Sequence, residues 1–160
     1  MEGELIEFLK ENGPEEFDAP TRLPQDDAVA ASWQRLNRSW WERHPMRYDF
    51  SHEIEMPEFS PDFYREIDSR FYESLWEMMP WRKEPFDSLI DYDGLTKKDV
   101  LEVGVGCGTH AELLARHART FTGIDLTDYA VKCTTRRLAL YRLRGRVLQM
   151  DAEQMAFDDN

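Results

Sequence analysis

Cysteine is scarce: the 160 residues hold two, Cys107 and Cys133. That excludes a disulfide framework and a four-ligand zinc pattern, and it reads as two reduced thiols in a cytoplasmic protein. No run approaches the ~18 apolar residues of a membrane span. The start, Met1-Glu2-Gly3-Glu4, lacks the basic and apolar regions of a signal peptide. Positive charge is also in deficit. With 32 acidic side chains against 20 basic ones, a net charge of -12, no general grip on phosphates is expected, and nucleic acid is not an expected partner. No internal repeat or low-complexity tract is present. What is there suffices for a packed core: 41% of residues are hydrophobic and 12% aromatic, in a length that suits one domain.

The charge is uneven. Residues 1–98 hold 23 acids and 12 bases, a net of -11, while residues 99–160 hold 9 and 8, a net of -1. All five tryptophans lie in the first part as well. That part reads as helices and loops. Leu5, Phe8 and Leu9 make a short stripe that stops near Gly13-Pro14, and Pro14, Pro20 and Pro24 punctuate an acidic loop. Val29, Trp33, Leu36 and Trp40 recur at helical spacing, so a helix is predicted over 27–43. Tyr64, Ile67, Phe71, Leu75 and Met78 form a longer stripe ended by Pro80. Phe86, Leu89 and Ile90 suggest a last short turn before Gly94.

From residue 95 the pattern changes. Val100–Val103, Phe121–Asp125 and Arg146–Asp151 are short runs fit for strands. Between them, Ala111, Leu114, Ala115 and Ala118 mark one helical face, and Val131, Thr134, Leu138 and Tyr141 mark another. The order β-α-β-α-β opens a Rossmann-like α/β fold: a parallel sheet with right-handed crossovers, preceded by a helical N-terminal segment.

The first strand runs directly into Gly104-Val105-Gly106-Cys107-Gly108. Three glycines between a strand and a helix allow a tight turn and a close approach of backbone to ligand. The helix that follows offers unpaired N–H groups. The dinucleotide fingerprint G-x-G-x-x-G needs a third glycine at position 109, which is Thr109, so an NAD-dependent oxidoreductase is disfavoured. No Gly-Lys-Ser/Thr follows, so the P-loop pattern fails too.

Residues 102–108, with Asp125 ending the second strand and Asp151-Ala152-Glu153 after the third, are similar to the motifs of class I S-adenosylmethionine-dependent methyltransferases. The resemblance covers residues 95–160 and implies an enzyme whose cofactor is S-adenosylmethionine. It implies that Gly104, Gly106 and Gly108 line the methionine part, with Val105 also at the cofactor and Glu102 near its amino group. It implies that Asp125 holds the ribose hydroxyls, with Leu126 on the adenine face. It implies that Asp151 meets the adenine amine, and the Ala152 or Glu153 backbone the ring edge. Asp125 also reads as a helix cap, Asp151 as a turn residue and Leu126 as a core residue.

The implied reaction is displacement at the sulfonium methyl, which asks the protein to align an acceptor and exclude water. The implied acceptor is a small molecule, with residues 1–94 as a lid segment and Trp41 as a candidate cover. No catalytic residue is singled out. His44 and His52 could each serve as a general base or simply be solvated, and His110 reads as a cofactor contact or an exposed helix start. Arg136, Arg137, Arg142, Arg144 and Arg146 read as the solvated face of a helix. The family's sheet has seven strands, and three are visible here. The sheet is therefore expected to be incomplete, the first strand to be an open apolar edge, and the chain to be a truncated form with little activity. The alternative reading is a non-catalytic cofactor- or nucleotide-binding module.

Overall fold

The computed structural model describes residues 23–76 and 78–158. The stripe of Leu5, Phe8 and Leu9 lies outside the described residues, as do Pro14 and Pro20.

Helix α1 spans Asp27–Arg43, the range its apolar spacing predicts. Asp26 caps it by accepting from the Val29 amide at 2.8 Å. Of the predicted stripe, Trp40 is buried and Leu36 is 47% exposed. Helix α2 spans Pro61–Trp76 and buries Phe63, Tyr64, Ile67 and Phe71. Its start combines a proline at the first position with Ser60, whose hydroxyl accepts from the Phe63 amide at 3.1 Å. Met78, the last residue of that predicted stripe, lies beyond the helix and is 68% exposed. A short 3-10 turn over Asp93–Lys97, which no apolar periodicity signals, leads into the sheet.

Three parallel strands follow with two crossover helices: β1 Asp99–Val103, α3 Thr109–His117, β2 Thr120–Asp125, α4 Asp128–Leu140 and β3 Arg146–Gln149. Their order in the sheet is β1-β2-β3. Register aligns Val103 with Ile124 and Asp125 with Gln149. The three strands therefore end side by side, and every segment leaving them starts at one edge of the fold. This is the Rossmann-like α/β arrangement, with helices before it. The third strand stops two residues short of the predicted end; the Met150 amide donates to the Asp125 carbonyl at 2.9 Å as the chain turns away.

One face of the sheet packs on α3 and α4. Ala111, Phe121 and Leu138 form that core, with Val100, Leu114 and Val147 around it. A second cluster joins α2 to α4 through Phe63, Tyr64, Ile67, Cys107 and Cys133. Each aliphatic or phenylalanine side chain fully buried there contributes about 1.5–3 kcal/mol. Leu101 and Val103 point to the other face and are 44% and 52% exposed. Among the described residues β1 pairs with β2 alone.

Candidate functional site

The loop between β1 and α3 is built by division of labour among its glycines. Gly104, Gly106 and Gly108 all have left-handed backbones, with φ of 77°, 51° and 81°. A Cβ added at Gly104 or Gly106 would meet nothing within 4 Å, so their open sides face free space. A Cβ at Gly108 would lie 2.9 Å from Thr134 Oγ1 and 3.2 Å from Arg137 Cδ. Gly108 is therefore a packing glycine that lets α4 approach. Gly123, which stands inside a strand and outside any motif, plays a similar part: a Cβ there would lie 2.5 Å from the buried Val105 side chain.

The loop is fixed on both sides. The Gly104 amide donates to the Ile124 carbonyl at 2.8 Å. Thr134 Oγ1 donates to the Gly106 carbonyl at 2.9 Å. Asp125 Oδ2 accepts from the Gly106 amide at 3.1 Å. Asp125 Oδ1 accepts from the Thr127 amide at 2.9 Å and the Thr127 hydroxyl at 2.8 Å. Thr127 itself caps α4, accepting from Ala130 at 3.3 Å. Asp125 thus links the glycine loop to the residue that caps α4; the cap is Thr127 and not Asp125.

A cavity of about 420 Å³ opens where the strands end. Gly104, Gly106, Asp125 and Leu126 form one wall, continued by Asp151, Ala152 and Glu153. Gln34, Asn37 and Trp41, spaced along one face of α1, form the opposite wall with Pro45 and Met46. Seven of the ten expected site residues therefore line one cavity, and Trp41 covers it. Glu102, Val105 and Gly108 do not line it. Asp151 adopts the turn its position suggests, with Oδ1 accepting from the Glu153 amide at 2.9 Å. The polar α1 face is a part of the site that motif spacing misses. Its signal is the i, i+3, i+7 spacing of Gln34, Asn37 and Trp41 beside the apolar stripe.

Glu102 sits behind the loop, half-buried as a residue, yet its Oε2 is shut off from solvent and has no hydrogen-bond partner. Burial raises its pKa to about 8, the Asp125 charge adds to the rise, and Arg137 opposes it.

The histidines and arginines depart from expectation. His110 neither reaches the cavity nor stands in solvent. Its ring lies edge-on between Phe71 and Phe86, with centroids at 5.1 and 4.6 Å, and burial lowers its pKa. His44 donates from Nδ1 to the Trp40 carbonyl at 3.0 Å and lines a smaller cavity of about 200 Å³ beside the first. His52 is exposed and lines neither cavity. Arg137, expected on a solvated face, is 1% exposed. Two carboxylates draw it inward: Glu112 accepts from Nε at 2.7 Å, and Asp68 accepts from Nη2. No helix among the described residues is long and apolar enough to cross a membrane.

This glycine loop, the acid ending β2 and the cavity at the strand ends are the arrangement that the resemblance to class I methyltransferases implies. Residues 100–160 match the family described as methyltransferase domain. Over 61 residues the chain is 39% identical to a ubiquinone biosynthesis O-methyltransferase of Nitrosomonas europaea, a match covering 38% of this chain and 25% of that protein. The chain spans about a quarter of the length of that curated relative. Among solved structures, the YcgJ protein of Bacillus subtilis is 25% identical, over 40% of this chain and 28% of its own, with a TM-score of 0.39. The cyclase SpnF is 16% identical, over 79% of this chain and 46% of its own, with a TM-score of 0.46.

Proposed function

We propose that this chain binds S-adenosylmethionine in the 420 Å³ cavity and belongs to an enzyme that transfers a methyl group to a small-molecule acceptor. One observation carries the reading. Two glycines with open faces and a carboxylate on the neighbouring strand share the wall of one cavity. The residues fit the group. Nothing projects from Gly104 and Gly106, so a ligand can lie against their backbone. Asp125 already accepts three hydrogen bonds, and a carboxylate offers about four acceptor positions. One position is left for a ribose hydroxyl, and a second is released if the Thr127 hydroxyl rotates away. Leu126 supplies an apolar contact for a base and Asp151 to Glu153 a polar edge, while Glu102 stands outside the cavity lining.

When bound, the cofactor supplies a methyl made electrophilic by its sulfonium sulfur. The chain's own work is to hold, orient and exclude water. In this reading residues 95–160 form the cofactor half and residues 1–94 the lid, with α1 as the roof. The name of the Nitrosomonas relative supports a small-molecule oxygen acceptor. The two free, buried cysteines suit a cytoplasmic setting.

Calorimetric titration tests the reading. S-adenosylmethionine and S-adenosylhomocysteine should bind, NAD should not, and Asp125→Ala should weaken binding at least tenfold. Equal binding by Asp125→Ala would remove Asp125 from the site. Turnover, a methyl passed from S-adenosylmethionine to an oxygen acceptor, separates an enzyme from a module that only binds.

A further inference from the structure

The glycine loop rests on a buried polar cluster, and one member of that cluster lies outside the methyltransferase segment. Arg137 heads the largest fully buried side chains. From Nη1 it donates to the Cys107 carbonyl and to Thr109 Oγ1, both at 3.4 Å. Cys107 and Thr109 flank Gly108, the glycine that seats the loop on α4. The remaining donors go to two carboxylates on different elements. Glu112, on α3, accepts from Nε at 2.7 Å. Asp68, on α2, accepts from Nη2 through one oxygen. Through its other oxygen Asp68 accepts from the Thr109 hydroxyl at 2.9 Å.

Asp68 therefore touches Thr109 directly and reaches the Cys107 carbonyl through Arg137. A guanidinium is a rigid fork, and its place is set by where its acceptors stand. Glu112 alone would draw Arg137 toward α3, and the pull of Asp68 from α2 balances it. Without Asp68, a buried nitrogen of Arg137 and the Thr109 hydroxyl both lose their acceptors, and the loop carbonyl at Cys107 loses a fixed donor.

We infer that Asp68 is a positioning residue for the loop over 104–109, acting through Arg137 and Thr109. The inference rests on the reading of this loop as the cofactor site. It couples the docking of α2 to cofactor affinity, and such coupling is reciprocal. Ligand on the loop should also tighten α2.

The test uses the full chain as wild type, Asp68→Ala and Asp68→Asn, with hydrogen–deuterium exchange and calorimetric titration of S-adenosylhomocysteine. Asp68→Ala should speed exchange across 103–110 about tenfold while β2 and β3 are unchanged, and should weaken binding about tenfold. Asp68→Asn keeps an acceptor oxygen and should fall between the two. In wild type, S-adenosylhomocysteine should slow exchange around Asp68. A merely structural role would lower thermal stability and speed exchange in the loop only in step with β2 and β3. That result, or unchanged loop exchange in a folded variant, overturns the inference. If Asp68→Ala does not fold, Asp68→Asn takes its place: faster exchange confined to the loop supports the inference, and unchanged or uniformly faster exchange overturns it. If wild type does not bind S-adenosylhomocysteine, the cofactor reading falls, and loop exchange still decides the role of Asp68.

Discussion

Glu42 closes the N-terminus of α4 across 87 positions of chain: its Oε1 accepts from the Tyr129 amide at 3.0 Å, and its Oε2 from the Asp128 amide at 2.9 Å. The first amides of a helix have no partner within it, and the helix dipole favours a negative charge there. Glu42 sits one residue from Trp41, which lines the cavity. The same side chain therefore ties the roof to the sheet side of the pocket. Glu42→Ala should cost about 0.5–2 kcal/mol, the range of lost helix caps. Glu42→Gln keeps one acceptor and should cost less. Urea unfolding measures both, and equal stability of Glu42→Ala and wild type would refute the cap.

The glycines should separate stability from binding. Gly108→Ala forces a left-handed alanine, costing about 1–2 kcal/mol. It also pushes a methyl against Thr134 and Arg137. Gly106→Ala carries the same backbone cost but meets nothing in the protein. Its methyl would stand where a ligand is to lie. Thermal melts should therefore rank Gly108→Ala below Gly106→Ala in stability. Titration with S-adenosylhomocysteine should show a larger loss for Gly106→Ala than its stability loss explains. The opposite ranking in both measurements would exchange the roles assigned to the two glycines.

These contrasts mark how far the sequence can be read. The range of α1 follows from Val29, Trp33 and Trp40 at helical spacing, and the three strands from short apolar runs. The glycine loop can be placed because its chemistry is local. Arg137 cannot. It falls within a run of arginines, and its neighbours in sequence suggest solvent. Its burial depends on Asp68 and Glu112, 69 and 25 positions away. His110 escapes for the same reason, since Phe71 and Phe86 reach it from the front segment. Helical spacing shows which residues share a face, but it does not show what packs there. Leu36 lies on the α1 stripe and still remains exposed.

Tyr64 should matter through its hydroxyl as well as its ring. The ring is fully buried beneath Arg137, whose guanidinium lies 5.2 Å from the centroid. The hydroxyl donates to the Cys133 carbonyl on α4 at 2.8 Å. Tyr64→Phe keeps the ring and the cation contact but removes that bond. The expected loss is about 0.5–1.5 kcal/mol. Chemical denaturation measures it, and no loss would mean that the bond is replaced when the hydroxyl is removed.

Glu102 should make stability depend on pH in a direction opposite to most carboxylates. Its pKa rises from an ordinary 4.5 to about 8 in the folded chain, chiefly by burial. Between those values the folded state holds a proton that the unfolded state has lost. Stability then falls as pH rises, because the folded state binds more protons. The contribution is whole below pH 4.5, declines through the interval, and is lost once pH passes about 8. Glu102→Gln removes the titrating group while keeping its shape. The variant should match wild type below pH 4.5 and become more stable than it by a few kcal/mol, or about 5 kcal/mol at most, near pH 8. Thermal melts at several pH values measure the gap. A gap that stays constant with pH would place the Glu102 carboxyl in water and remove the buried charge from this side of the loop.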